Sequence, residues 1–283
     1  MEDWILSQEP TIRLTAFFGV FSLVALGEWL FPRRKLSQSK AVRWLNNLSI
    51  VFANTLLMRL IMPIMAVGLA GIAAEKGWGL FNVIDLGFWP EVALAILLMD
   101  GVIYFQHVLF HSLPVLWRLH RMHHADLDYD VTNGARFHPI EILISMLIKL
   151  TVVFLLGPSG VAVICFEVLL NGTAMFNHGN LKLPLALDRV LRWVLVTPDM
   201  HRVHHSVIRG ETNSNYGFSS PWWDYIFGTY RSQPSKGHEG MDIGIEEFRD
   251  PRELWADRLL TQPFRGPTGG YPITGDQTTK NKP

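Results

Sequence analysis

The chain has 283 residues, of which 49% are hydrophobic and 18% are charged. This charge density is well below that of ordinary soluble domains and indicates a protein that lies in lipid. The 25 basic and 25 acidic residues balance, so no basic surplus exists to attract nucleic acid. Cys165 is the single cysteine, which excludes an internal disulfide, a thiolate zinc site and a Cys-held iron–sulfur cluster. Any metal must therefore be held by nitrogen and oxygen ligands.

The first apolar stretch, residues 14–31, is long enough to cross a bilayer as a helix. Neither a basic segment before it nor a small-residue cleavage pattern after it is evident, so we expect a retained span and not a cleaved signal peptide. Residues 33–43 then carry five basic side chains. The positive-inside rule places this loop in the cytoplasm.

Two longer apolar stretches follow. Residues 48–74 form a second span, in which Pro63 predicts a kink. A third span, at about residues 88–113, returns to the cytoplasmic side and carries His107 and His111 in its last turns. The histidine clusters are therefore predicted on the cytoplasmic side of a multi-pass protein, in a bacterial inner membrane or the endoplasmic reticulum.

Residues 140–156 and 161–176 are two shorter apolar blocks separated by the sequence Gly-Pro-Ser-Gly, a strong turn signal. They predict a helical hairpin whose arms either cross the membrane fully or dip in and return, and which delivers His178 to the cytoplasmic side. The predicted fold class is all-α, an integral membrane helical bundle with a histidine-rich metal cap. We expect one catalytic domain at residues 1–265 and a loose, Gly/Pro/Thr/Lys-rich tail at residues 266–283.

Eight of the 11 histidines lie in three motifs: HVLFH at 107–111, HRMHH at 120–124 and HRVHH at 201–205. On a helix, positions three and four apart share a face, so His107 and His111 can point at one centre. In each HxxHH motif the first histidine shares its face with both later ones. The spacing therefore predicts convergent imidazoles, which are good ligands for iron, copper, nickel or zinc.

The number of histidines indicates how many metals they hold. A structural zinc takes four ligands, and a catalytic zinc takes three and a water. Eight to ten imidazoles fit two ions, each with four or five ligands and room for oxygen. His178 is a further predicted ligand, His138 is a candidate for either a ligand or a helix cap, and His238 is expected at the surface.

The order HxxxH, HxxHH, RFHPIE, FNH, TPDMHRVHH and NYGFSSPWWDYIFGTY resembles the fatty acid hydroxylase and sterol desaturase superfamily over about residues 100–231. By this resemblance the metal ligands are His107, His111, His120, His123, His124, His201, His204 and His205, with His178 as the middle histidine. Many members pair that middle histidine, whereas Lys182 and Leu183 follow here. The resemblance therefore leaves one ligand position open, for His138 or the amide of Asn177.

The resemblance implies a di-iron centre that uses O2 to hydroxylate or desaturate a lipid-like substrate, such as a sterol or fatty acyl chain, drawn from the bilayer. The sequence contains no flavin, nicotinamide or haem signature, so an external electron donor protein is implied. Four arginines could dock such a donor: Arg118, Arg121, Arg202 and Arg209. Four side chains could line an apolar cleft: Phe105, Phe110, Trp117 and Met122. Five carboxylates could orient the histidines: Asp126, Asp128, Glu141, Asp199 and Asp224.

Two other classes of protein remain open at this point. A transition-metal transporter would use histidines as a pathway, but its ligands should be spread across the depth of the membrane. A membrane zinc hydrolase would activate water for attack on an ester or amide and would work without oxygen.

Overall fold

The computed structural model describes residues 2–274. Within these residues the secondary structure is helical, with extended pairing restricted to two isolated bridges, Pro32 with Leu181 and Ser206 with Ile243. The first ten helices are α1 (Glu2–Ser7), α2 (Glu9–Leu30), α3 (Lys40–Ile61), α4 (Ala66–Lys76), α5 (Phe88–Ser112), α6 (Pro114–His124), α7 (Pro139–Leu156), α8 (Gly160–Asn177), α9 (Leu185–Leu191) and α10 (Pro198–His204). Four short helices follow, α11 (Arg209–Thr212), α12 (Trp222–Ile226), α13 (Gly237–Gly240) and α14 (Ala256–Thr261), and 3-10 turns lie at Leu80–Asn82, Asn133–Ala135, Pro251–Leu254 and Gln262–Phe264.

Five segments are long and apolar enough to cross a membrane: Glu9–Leu30, Lys40–Asn82, Phe88–Ser112, Pro139–Leu156 and Gly160–Asn177. The predicted all-α membrane bundle is therefore confirmed. Both arms of the predicted hairpin qualify as spans, at 18 residues each.

Proline and glycine set the helix boundaries that the sequence predicted. The chain leaves α3 at Met62, which is extended, and the next helix begins only at Ala66, because Pro63 cannot continue the hydrogen-bond ladder. Gly157 ends α7 with a φ of 61°. A side chain there would also collide with the carbonyl oxygen of Trp78, 2.3 Å from an ideal Cβ, so this turn requires glycine.

Helix α8 is the centre of the bundle and is the most buried of the five spans. It packs against α2 and α5, and its Val163 and Phe166 join Met99 and Ile103 of α5 in an apolar cluster. Because α5 ends at the first histidine pair and α8 ends next to His178, this packing brings both sets of histidines to one end of the molecule.

A charged cluster links three of the spans inside the membrane region. The carboxylate of Glu167 on α8 accepts hydrogen bonds of 2.5 Å from Arg13 on α2 and from Lys149 on α7. Charged groups in apolar surroundings are stable only when paired, so this arrangement fixes the relative positions of the three helices.

Residues 266–274 pack against the domain, which differs from the loose tail expected from residue 266. Tyr271 is buried and its hydroxyl donates to the carbonyl of Val207 at 2.8 Å. The N–H of Ile273 donates to the carbonyl of His111 at 3.0 Å. The ring of Tyr271 packs against Trp117 and Ile245, and the composition of the tail did not predict this contact. The rest of the predicted tail, 275–283, lies outside the described residues.

Candidate metal centre

The first two histidine motifs meet because the chain turns sharply between α5 and α6. His107 and His111 occupy the last turns of α5 on its buried face. Leu113 is extended and Pro114 then begins α6, as prolines often do at a first helical position. The turn folds α6 back beside α5, and the rings of His107 and His120 are 4.9 Å apart.

The third motif reaches the same place from the C-terminal side. Helix α10 begins at a cap in which the Thr197 hydroxyl accepts the N–H of Met200. His178, immediately after α8, lies beside this helix, with its ring centroid 4.5 Å from that of His201.

The histidines form two separate groups. Group one contains His107, His111, His120, His124 and His204, and group two contains His123, His178, His201 and His205. Within each group, ring nitrogens lie within 4.8 Å of one another. The nine residues are those for which the sequence predicted metal ligation.

The nine imidazoles are buried, with at most 2% of any of them exposed. Burial lowers the pKa of His120 and of His178 to about 3. Burial also holds the pKa of His123, of His124 and of each histidine in the third motif far below the ordinary value. These rings are therefore neutral at physiological pH, the form that binds a metal.

Main-chain carbonyls fix the orientation of three rings. The Nδ1 atoms of His107 and His204 lie 2.7 Å from the carbonyl oxygens of Tyr216 and Ser214. The Nδ1 of His123 lies 3.1 Å from the carbonyl oxygen of Arg136. A neutral ring that donates through Nδ1 presents the lone pair of Nε2 to the interior of the group.

Two side chains and one more main-chain carbonyl fix three further rings in the same way. Glu141 Oε1 lies 2.6 Å from Nδ1 of His120, and Asn213 Oδ1 lies 3.1 Å from Nδ1 of His111. Nδ1 of His178 lies 2.8 Å from the carbonyl oxygen of Ala174. The sequence analysis proposed Glu141 for this role but missed Asn213, whose position in a loop gave no signal.

The resulting arrangement of lone pairs fits bound cations. Nε2 of His107 lies 3.1 Å from Nε2 of His120, and Nε2 of His178 lies 3.1 Å from Nε2 of His123. With both Nδ1 atoms donating outward, each contact brings two lone pairs together, which is unfavourable unless a cation lies between them. In addition, several ring nitrogens have no hydrogen-bond partner among the described residues, including Nε2 of His111 and both nitrogens of His124 and His201.

An open cavity of about 690 Å³ lies beside group one. Its apolar wall includes Phe105, Val108 and Phe227, and its polar wall includes Asn213 and Arg209. Since Asn213 also contacts His111, the cavity and the histidines share a wall.

A family model described as fatty acid hydroxylase matches residues 92–229, which include all nine histidines. Residues 92–229, just under half of the chain, thus resemble fatty acid hydroxylases. The predicted resemblance to the fatty acid hydroxylase and sterol desaturase superfamily is confirmed over these residues, which also include the NYGFSSPWWDYIFGT segment.

Curated relatives are similar to part of the chain. An ornithine lipid hydroxylase from Rhizobium tropici is 30% identical over 168 residues, which are 56% of this chain and 48% of the relative. An alkylglycerol monooxygenase from Xenopus tropicalis is 31% identical over 156 residues, 55% of this chain and 34% of the relative. The chain thus spans less than half the length of these relatives. No solved structure matches the chain.

His138 and Asn177 do not fill the open ligand position. His138 caps α7, with Nδ1 accepting the N–H of Ile140, and its Nε2 contacts the carbonyl of Leu260, so it lies outside both groups. Asn177 instead contacts Nδ1 of His178 through its Oδ1 at 2.6 Å.

The other carboxylates act at a distance from the rings. Asp224 accepts the backbone N–H groups of Tyr216 and Gly217, and therefore positions the carbonyl that holds His107. Asp126, in the loop after α6, pairs with Arg43 and Arg136. Asp128 accepts N–H groups of residues 37–38, and Asp199 pairs with Arg33 and Arg202.

Several expectations for side chains around the domain need correction. Arg121 and Arg202 are fully buried, so they cannot dock a partner, whereas Arg118 and Arg209 are partly exposed. His238 is buried beside Asp199 and not at the surface. Among the side chains proposed to line a cleft, Phe105 lines the cavity, while Phe110, Trp117 and Met122 are fully buried.

Proposed function

We propose that this protein uses O2 to hydroxylate a lipid-like substrate at a di-iron centre held by the two histidine groups. The observation that carries the proposal is the convergence of five and four buried imidazoles inside the part of the chain that resembles fatty acid hydroxylases. Two relatives, a lipid hydroxylase and a monooxygenase, support hydroxylation over desaturation.

Two metals fit the geometry better than one. Each group is large enough to bind an ion by itself, since structural zinc sites use four ligands. Nitrogen ligands without a thiolate suit iron, which when bound would supply the activation of oxygen and the oxidation of a C–H bond.

The residues of the chain would orient the metals and keep water away. Glu141, Asn213 and the carbonyl of Tyr216 hold rings with their free nitrogens directed inward. Burial of all nine imidazoles excludes bulk water, which would otherwise intercept a reactive oxidant. The apolar wall of the adjacent cavity would take the substrate's hydrocarbon chain.

Electrons would come from an external protein, because the sequence has no motif for a flavin, nicotinamide or haem. Of the four arginines proposed to dock this donor, Arg118 and Arg209 are partly exposed and can contact it. The predicted cytoplasmic orientation would give the donor access to this end of the molecule.

The other two classes of function are less well supported. A transporter needs ligands distributed across the membrane, but the nine histidines gather at one end of the spans. A zinc hydrolase with one metal would leave the second histidine group without a role, and the relatives are a hydroxylase and a monooxygenase, not hydrolases.

The deciding experiment measures metal content and turnover of detergent-purified protein with candidate lipids, O2 and a reductant. We expect two irons per chain by elemental analysis, a coupled pair by Mössbauer spectroscopy, and a hydroxylated product. His204→Ala and His201→Ala should each lose iron and turnover, while His238→Ala, outside both groups, should keep them. Zinc alone with oxygen-independent hydrolysis would establish the hydrolase instead, metal flux in vesicles the transporter, and an alkene product a desaturase.

A further inference from the structure

A second cavity, of about 680 Å³, lies at the end of α2 on the same side as the histidines. Its lining includes four basic side chains, Arg33, Arg34, Lys35 and Lys40. This cavity is separate from the one that borders group one, since the two share no lining residue.

The cavity also contains two acidic residues, and both are already paired. Glu28 is buried, where its Oε1 accepts the N–H groups of Val131 and Asn180 and its Oε2 lies 3.5 Å from Lys40. Glu239 projects into solvent and pairs with Arg33 at 3.0 Å. The lining therefore has four positive charges against two negative charges.

Two of the cations have no acidic partner. Within residues 2–274, neither Arg34 nor Lys35 has a carboxylate oxygen within 4.0 Å. Lys35 is exposed, whereas Arg34 is partly buried and donates from Nη1 to the carbonyl of His238. Burial and the nearby Arg202 lower the pKa of the Arg34 guanidinium, so an anion beside it would be favourable.

The backbone that carries these cations is held in place. Asn180 Oδ1 accepts the N–H of Arg34 at 3.0 Å, and Asn180 Nδ2 donates to the carbonyl of Arg34 at 2.7 Å. The N–H of Arg33 donates to the carbonyl of Asn180 at 2.9 Å. The basic side chains thus extend from a fixed loop, which reduces the entropy lost when a ligand binds.

The side chains next to the cavity place it at the membrane surface. Trp29, Leu30 and Phe31, the last residues before the basic loop, have 75%, 50% and 65% of their surface exposed. Exposed aromatic and aliphatic residues at the end of a span contact lipid at the level where acyl chains meet headgroups. A ligand in this cavity would therefore have its charge beside the basic residues and its hydrocarbon beside this apolar edge.

We propose that this cavity binds the phosphate of an anionic phospholipid headgroup, held by Arg34 and Lys35 with Lys40 at the edge. Free phosphate offers the same charge, but a phospholipid also gains apolar contact with Trp29 and Phe31. The lipid would anchor the histidine-bearing end of the protein to a negatively charged leaflet.

Native mass spectrometry of the full-length protein in detergent tests the proposal, with titrations of phosphatidylglycerol and of phosphatidylcholine. We expect one phosphatidylglycerol to bind at least tenfold more tightly than phosphatidylcholine. The double variant Arg34→Gln/Lys35→Gln should lose that preference, and Lys35→Gln alone should weaken it. The matched control Lys76→Gln/Arg189→Gln removes two exposed cations outside the cavity and should bind as the unmodified protein does.

Several results would overturn the proposal. Equal binding of phosphatidylglycerol and phosphatidylcholine is the first. The second is an unchanged preference for phosphatidylglycerol in Lys35→Gln, since this exposed substitution should not disturb folding. Millimolar inorganic phosphate is added in a separate arm and should leave phosphatidylglycerol bound. If phosphate displaces the lipid, the site is a free-phosphate site and the lipid assignment is wrong.

Discussion

Glu141 on α7 and His120 on α6 are joined by a buried contact of 2.6 Å between Oε1 and Nδ1. The two residues are 21 positions apart, and the contact directs Nε2 of His120 toward group one. A carboxylate that accepts from a ligating histidine fixes the tautomer of the ring and raises its basicity as a ligand.

Substitution of Glu141 should therefore weaken metal binding. We expect Glu141→Ala to lower iron affinity roughly 10–100-fold, the usual effect of removing such a partner. Glu141→Gln should have a smaller effect, because the amide oxygen can still accept from Nδ1. The measurement is iron retained after dialysis against graded chelator concentrations. Glu75→Gln, an exposed change on α4, is the control, and full iron retention in both Glu141 variants would exclude this role.

Asn213 should have a comparable role for His111. Its Oδ1 faces Nδ1 of the ring while its Nδ2 donates to the carbonyl of Tyr271 at 2.8 Å, which fixes the amide orientation. We expect Asn213→Leu to lower iron affinity about tenfold, whereas Asn213→Asp keeps an acceptor and retains most of the iron. The same chelator titration applies.

Asn171→Leu is the matched control for Asn213→Leu, since Asn171 is exposed on α8 and donates to the carbonyl of Glu167. If Asn213→Leu and this control retain iron equally, Asn213 does not position His111.

Glu167 should contribute to stability but not to metal binding. Glu167→Gln leaves Arg13 and Lys149 without their carboxylate, and loss of one partner in a buried pair costs on the order of 3 kcal/mol. We expect a lower melting temperature in detergent by intrinsic fluorescence. Iron per folded chain should be unchanged, because Glu167 is about 16 Å along α8 from His178. An unchanged melting temperature would show that the cluster does not hold the helices together.

Much of the fold could be predicted because its signals are local. Apolar length predicted the spans, Pro63 predicted a kink at the place where α3 ends, and the turn signal at residues 157–160 predicted the hairpin. Tyr271 and His238 were misplaced for the opposite reason, since their burial depends on distant segments that composition does not identify.

The sequence predicted the convergence of histidines four apart, which share a helix face: His107 with His111, His120 with His124 and His201 with His205 each remain in one group. The expectation that the first histidine of each HxxHH motif also converges with the one three positions on was wrong, since His123 and His204 lie in the other group. Only the tertiary structure decided how the motifs combine. Adjacent residues point about 100° apart on a helix of 3.6 residues per turn, so each HxxHH motif contributes to both groups. The packing of α10 against α8, and the ring contacts of His124 with His204 and of His123 with His178, then decided that His204 completes group one and that His178 and His123 join group two.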